Sequence, residues 1–337
     1  MKKYLIMITK QDSEIISMLR FPLIVGVVFI HSQLSNIDAC GLCLQHFLGG
    51  SFGAIAVPLF LIISGYLFYN NIEVFSRDVY KRKILSRIKS LLIPYLIWNT
   101  IAYLLYAYKF GFNILHLIKA YWSFDMPNRE ESSPADGPLW YIRNLLLIVI
   151  FLSPIIFWLI KRTKYYLIIP MGILWLLNVY PFGNGRGIAF LFFYVGAYMS
   201  LSDRQFAING HKCYLCVAFF CILSILCQIV PEKYFVFEIL LRLNKVAGIF
   251  SILSVVTYLQ KKKVRCGGAI LASSSFFIYC CHDLFLPFLK SVIAIDENNE
   301  FWRYLIVVGT DLVLCLLLYK IVVWVFPKTS KYLTGGR

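Results

Sequence analysis

The segment IISMLRFPLIVGVVFIHSQL, residues 15 to 34, decides the fold of this chain. It is long and apolar enough to cross a bilayer as one helix. Two of its residues, Arg20 and His31, are ionisable, and their spacing of eleven residues places them on one helix face about 16 Å apart. Ionisable side chains inside a span are costly unless they face protein or a water-filled cavity. The pair therefore predicts a functional site.

The composition of the whole chain agrees with a membrane protein. Of 337 residues, 60% are hydrophobic and 15% charged, and the mean hydropathy is +0.73. These values are too apolar for an ordinary soluble protein. The net charge of +16 does not indicate nucleic-acid binding, because its cations lie in short clusters between apolar segments rather than on a soluble domain. Membrane lipid is the expected surrounding partner.

Windows of about 20 apolar residues predict an all-α polytopic membrane protein with about ten transmembrane helices. Lys and Arg concentrate in alternate loops, which places both termini in the cytoplasm and the chain in the cytoplasmic membrane. Arg20 is then nearer the cytoplasm and His31 nearer the outer face. Residues 109 to 138 are expected to form a partly ordered outer cap, and residues 1 to 337 a single domain with no fused soluble domain. The predicted spans are 15 to 34, 52 to 70, 91 to 108, 139 to 160, 165 to 181, 186 to 201, 213 to 230, 236 to 259, 269 to 293 and 303 to 326.

Three positions on the cytoplasmic side suit a phosphate-bearing substrate. Arg20 has planar donors that fit phosphate, although a snorkelling side chain explains it equally well. Lys83 and Arg87 are one helical turn apart and can meet one anionic group, or they anchor the chain to anionic lipids.

His31 suits general-base work on a hydroxyl, and its alternative is a hydrogen bond to a neighbouring helix.

The fourth and ninth spans add further polar candidates. Trp140 and Tyr141 are expected at the outer interface with Arg143 one turn deeper, where the guanidinium either serves a site or snorkels outward. His282 and Asp283 lie in the ninth span, where an imidazole can act as a relay or a substrate contact. Adjacent residues on a helix point about 100° apart, so these two are not expected to form a catalytic dyad.

No metal site is predicted. The CxxC of Cys40 and Cys43 follows the first span, but it has neither a second pair nor a nearby set of histidines. The other cysteines lie mostly inside apolar segments, where they behave as small hydrophobic residues.

The Arg20-x10-His31 pair is the first of several motifs that occur in one order along the chain. With these motifs the chain resembles the membrane acyltransferase type-3 family, which includes polysaccharide O-acetyltransferases. The remaining motifs are PLFLIISGYLF at 58 to 68, IKSLLIPYLIW at 88 to 98, PLWYIRNLL at 138 to 146, FLFFYVGAYMS at 190 to 200 and SSFFIYCCHDLFL at 274 to 286.

The resemblance implies an enzyme that moves an acyl group, usually acetyl, from cytoplasmic acyl-CoA to a sugar hydroxyl. It makes acetyl-CoA or another acyl-CoA the donor, and a glycan or lipid-linked sugar the acceptor, with proteins of cell-envelope biosynthesis as partners. His31 would be the catalytic histidine, and Arg20 would serve donor binding or site integrity. Some members carry an RxxR pair before the third span; here Lys83 and Arg87, with three residues between them, take that place as donor-binding candidates.

The resemblance also implies a central cavity enclosed by the helices. Trp140, Tyr141 and Arg143 would line it, and His282 is a further candidate for contact with the substrate.

A transporter or flippase of a glycan or lipid-linked intermediate is the alternative function, because such proteins also combine many spans with intramembrane charges. That alternative predicts related halves with broken helices at matching positions. The sequence contains no such repeat.

Overall fold

The computed structural model describes residues 8–34, 39–123, 134–179, 184–208, 213–264, 268–293 and 300–336. Within these ranges the chain is helical and contains no β-strand, which confirms the predicted all-α class. The helices are α1 Lys10–His31, α2 Ala39–Gln45, α3 Ala56–Tyr69, α4 Arg77–Arg87, α5 Ile93–Phe110, α6 Ile114–Ala120, α7 Trp140–Leu147, α8 Ser153–Thr163, α9 Ile168–Leu176, α10 Asn184–Leu201, α11 Cys213–Ile229, α12 Phe235–Lys261, α13 Ala269–Val292, α14 Glu300–Val325 and α15 Ser330–Leu333.

Short π-helical segments join several of these helices into longer rods. Ile88–Leu92 joins α4 to α5, and Ile148–Leu152 joins α7 to α8. A proline, Pro94 or Pro154, follows each segment by two residues. Because proline has no N–H for the carbonyl four residues earlier, the ordinary helical hydrogen bond is missing there. The wider π turn is a common way for a helix to absorb such a defect, and it often occurs near functional sites.

Seven helices of the described residues are long and apolar enough to cross a membrane, and two shorter apolar helices, Gly187–Leu201 and Cys213–Ile229, accompany them. This confirms the multi-pass membrane character. The seven are Lys10–His31, Leu42–Tyr69, Arg77–Tyr108, Gly137–Thr163, Phe235–Lys261, Ile270–Val292 and Glu300–Val325.

The fifth predicted span, residues 165 to 181, differs most from the sequence expectation. Its helix α9 has only 9 residues, about 13 Å of rise against a hydrocarbon core of about 30 Å. The left-handed backbone of Asn178, with φ 59°, follows the end of this helix. The total of ten spans and the cytoplasmic position of both termini therefore remain predictions.

The chain folds as two compact units. Every predicted site residue except Arg20 belongs to the second unit. The first unit comprises Met1–Ile30, Cys43–Tyr80 and Phe151–Ala272, and the second comprises His31–Leu42, Lys81–Ile150 and Ser273–Arg337.

In the first unit, α3 and α10 pack closely because glycines face the neighbouring backbone. A Cβ at Gly196 would collide with the carbonyl oxygen of Ile62, and one at Gly65 would collide with that of Phe193. Small residues at a crossing allow membrane helices to approach closely and gain van der Waals contact.

A buried carboxylate fixes the beginning of α1 in the same unit. Asp12 is fully buried and accepts hydrogen bonds from the backbone N–H groups of Phe206 and Ala207, at 2.8 and 3.1 Å. The Tyr66 hydroxyl donates a third bond of 3.2 Å. The carboxylate thus ties the chain that follows α10 to α1.

In the second unit, aromatic side chains pack α5, α13 and α14 together. Phe277 contacts Trp98 at 5.2 Å and Tyr319 at 5.7 Å between ring centroids. The Trp98 indole N–H donates to the backbone oxygen of Leu333, so α15 is held against α5. Edge-to-face pairs of this kind add stability beyond the apolar area that they bury.

The segment that follows α5 contains the short helix α6 and is bound to α5 by hydrogen bonds. Asn113 caps α6 by accepting from the N–H of Leu115, and its own backbone exchanges two hydrogen bonds with the Tyr103 hydroxyl. The Tyr95 hydroxyl donates to the carbonyl of Tyr121. Part of the predicted cap is therefore a helix tied to α5, while residues 124–133 lie outside the described residues.

Candidate active site

The two membrane histidines of the sequence come together in the second unit. His31 is the last residue of α1, and its ring contacts that of His282 edge-on, with centroids 5.3 Å apart and an interplanar angle of 61°. His282 is fully buried, whereas His31 keeps part of its surface accessible. Of the two imidazoles, His31 is therefore the one that can meet a substrate.

Hydrogen bonds to its own helix fix the tautomer of His282. Its Nδ1 lies 3.1 Å from the carbonyl oxygen of Ile278 and 2.9 Å from that of Tyr279. A carbonyl oxygen can only accept, so we assign the proton to Nδ1. In the neutral ring Nε2 then carries the lone pair, and the ring orientation is set by the backbone of α13.

Tyr279 extends this cluster toward α7, and the sequence analysis did not identify it. Its ring lies 6.3 Å from that of His282 and 6.0 Å from that of Tyr141, measured between centroids. Its hydroxyl donates to the carbonyl of Pro138, just before α7. The position of Tyr279 three residues before His282, one helical turn away, was the available signal.

Arg87 joins the cluster through Tyr141. The guanidinium interacts electrostatically with the Tyr141 phenol, and the π-helical segment Ile88–Leu92 packs against α7. The sequence assigned Arg87 to the cytoplasmic side and Tyr141 to the outer interface, so it did not predict this proximity. Tyr141 therefore lies beside the basic segment rather than a bilayer thickness away from it.

Lys83 and Arg87 form a cationic pair at this end of the cluster. Both side chains are half-buried, and the two charges repel each other. Two cationic side chains one helical turn apart can donate together to a single anionic group. The pair is consequently suited to an anionic group such as phosphate.

Arg143 is engaged with the cap. It is buried, donates a hydrogen bond to the backbone oxygen of Trp122, and places its guanidinium 5.3 Å from the centroid of the Trp122 ring. A snorkelling side chain would instead extend to water. The structure thus replaces the snorkelling interpretation with an anchoring contact.

Two further predicted residues, Arg20 and Trp140, are placed by the structure outside this cluster. Arg20 is half-buried in α1 and belongs to the first unit, eleven residues before His31 along the helix. Trp140 begins α7 and is partly buried. Their roles remain predictions.

The described residues include no group of three or more His, Cys, Asp or Glu side chains arranged to hold a metal ion. Cys43 of the predicted CxxC is an exposed free thiol, and the side chain of Cys40 lies outside the described residues.

Comparison with known proteins identifies the family. The model of the acyltransferase type-3 family, described as an acyltransferase domain, matches residues 14–320. No curated protein and no solved structure matches the chain. The matched region contains most of α1, the basic segment of α4, α7 and α13, and it contains every candidate residue named above. The chain therefore belongs to the membrane acyltransferase type-3 family.

Proposed function

We propose that this protein is an O-acyltransferase of the cytoplasmic membrane. It transfers an acetyl or other short acyl group from cytoplasmic acyl-CoA to a hydroxyl of a cell-surface glycan or its lipid-linked precursor. The observation that carries the proposal is the contact between the accessible His31 ring and the fully buried His282 ring in a chain of this family.

His31 is the general base. Its unprotonated ring nitrogen takes the proton of the acceptor hydroxyl as the hydroxyl oxygen forms a bond to the thioester carbonyl carbon. The carbon–sulfur bond then breaks, and the imidazolium of His31 returns the proton to the departing thiolate. The products are an ester and free CoA, so the histidine ends as it began. Positioned proton transfer of this kind contributes about 10² to 10⁴ in rate.

The basic segment binds the donor. Lys83 and Arg87 offer cationic donors for the CoA phosphates, and Tyr141, Tyr279 and His282 lead from them toward His31 through ring contacts of 5.3 to 6.3 Å. A donor that passes from the basic end beside the partly buried Tyr141 to the accessible His31 keeps its nucleotide at the basic end and its thioester near the base. Arg20, on the cytoplasmic half of α1, supports donor binding or the integrity of the site.

The acceptor meets the acyl group at His31. Trp140 and Tyr141 supply partly buried aromatic surface, and Arg143 holds Trp122. These residues line the acceptor cavity in this proposal, and both chain termini lie in the cytoplasm. The cap that Arg143 anchors limits the access of water to the acyl group.

The test is acyl transfer by the purified protein in lipid nanodiscs, from radiolabelled acetyl-CoA to candidate glycans. The variants are His31→Ala and the control His116→Ala, whose histidine is exposed on α6. We expect His31→Ala to lower the rate by about 10² to 10⁴, and the control to keep it. Undiminished transfer by folded His31→Ala protein would refute the base assignment. Glycan transport by the same protein in sealed proteoliposomes, without acylation, would favour the transporter.

A further inference from the structure

Lys290 of α13 binds the backbone at the end of α1. Its Nζ donates to the carbonyl oxygens of His31 and Gln33, each at 2.8 Å. The last carbonyls of a helix have no partner within that helix, and a cation at a helix C-terminus is electrostatically favourable. The ammonium therefore caps the chain at the residue that carries the general base.

Lys290 is itself held in place by α14. Arg303 donates to the carbonyl oxygens of Lys290 and Ile293, at 2.8 and 2.7 Å, and so caps the end of α13. Arg303 also pairs with Glu300 at 2.7 Å, and Glu300 is only 6% exposed. The ion pair with the buried Glu300 thus holds Arg303, Arg303 holds the end of α13, and Lys290 holds the backbone of His31.

The same helix also contacts the ring of His31. His282 lies eight residues before Lys290, about 12 Å along α13, and its ring touches that of His31. Residues of α13 therefore hold both the backbone and the imidazole of His31. Reactive groups must be held to within about half an ångström of their productive geometry, which demands such support.

We propose that Lys290 is a positioning residue for His31, with Arg303 and Glu300 holding Lys290 in place. This inference rests on the proposed function, in which His31 is the base. Lys290 acts through the geometry of His31 and makes no contact with the substrate.

The first test is the steady-state kinetics of Lys290→Met, which keeps most of the length of the side chain and removes its donors. We expect kcat to fall about 10- to 100-fold, because a misplacement of 1 Å can cost that much, while KM for acetyl-CoA changes less than about twofold. Lys290→Arg retains cationic donors and should recover most of kcat. The matched control is Lys320→Met, whose lysine is exposed on α14; it should match the wild type.

A combined variant separates positioning from general damage to the fold. If Lys290 acts through His31, adding Lys290→Met to His31→Ala should not lower the residual rate further. A further loss of about tenfold would mean that Lys290 supports something other than the base, and would overturn the inference.

Hydrogen exchange supplies a readout that does not depend on activity. In Lys290→Met we expect the amides of residues 29 to 34 to exchange about tenfold faster or more, because charged hydrogen bonds at the helix end are lost. Exchange in α12 should stay unchanged. Unaltered exchange and kcat in folded Lys290→Met, with active wild type, would overturn the inference and leave the proposed function standing. If the wild type transfers no acyl group, the proposed function and the positioning role fall together, and faster exchange would leave Lys290 as a structural cap.

Discussion

Replacing Arg143 with methionine tests whether this buried arginine anchors the cap. Methionine fills a similar apolar volume but can neither donate to the Trp122 carbonyl nor offer a charge to its ring. A hydrogen bond from a charged donor contributes about 1.5 to 3 kcal/mol, and a cation–π contact about 0.5 to 2 kcal/mol. Trp122 is 51% exposed, so water can replace part of what is lost.

The net effect on the cap is therefore about 1 to 3 kcal/mol, which is roughly a 5- to 150-fold change in a local opening equilibrium. We expect amide exchange in residues 114 to 123 to accelerate by that factor, measured by mass spectrometry on protein in nanodiscs. The start of α5 near Tyr95 keeps its own packing and should change much less.

Two variants sharpen the result. Arg143→Lys keeps a cationic donor but not the planar group, so its exchange should lie between those of the wild type and Arg143→Met. Trp122→Phe keeps the backbone carbonyl and an aromatic face, and should change exchange by less than Arg143→Met. Wild-type exchange in Arg143→Met would contradict the anchoring contact and restore the snorkelling interpretation.

Three further tests probe the cluster around the base. His282→Phe keeps a ring but loses the Nδ1–H donor and the Nε2 lone pair, so kcat should fall about 10- to 100-fold with KM for acetyl-CoA unchanged in transfer assays. The pair Lys83→Gln and Arg87→Gln should raise KM for acetyl-CoA about tenfold or more while kcat is kept, whereas Lys81→Gln, at an exposed site, should not. Tyr279→Phe loses only one hydroxyl bond to a backbone carbonyl, so the free energy of unfolding should fall by about 1 kcal/mol, with the transfer rate within about threefold; a collapse of the rate would mean that the hydroxyl takes part in the chemistry.

Spans were largely predictable because hydropathy is a local property. The first predicted span, residues 15 to 34, corresponds to α1, Lys10–His31, and the ninth, 269 to 293, corresponds to α13, Ala269–Val292. The fifth predicted span is not a full-length helix, because the backbone conformation of a single residue can end a helix. Asn178 adopts a positive φ, which hydropathy does not encode.

The sequence allowed the site residues to be selected by type, but it did not predict which of them contact one another. Burying an imidazole or a guanidinium is costly wherever it occurs, so His31, His282 and Arg143 could be selected from the sequence alone. Which of them meet depends on how helices distant in sequence pack. Arg87 and Tyr141 were therefore expected on opposite sides of the membrane, although they interact.

The contact between Lys290 and the backbone of His31 could not be predicted from the sequence. A lysine in the last turn of a helix can cap the carbonyls of that same helix. Here Arg303 has taken the carbonyls of Lys290 and Ile293, so the ammonium is directed instead to His31 and Gln33. The role of Lys290 depends on Arg303 of the following helix. The contact between Arg303 and the end of α13 is a tertiary contact, so the sequence alone does not predict it. Removing the guanidinium with Arg303→Met should consequently release Lys290 toward its own helix and loosen residues 31 to 34 in the same direction as Lys290→Met.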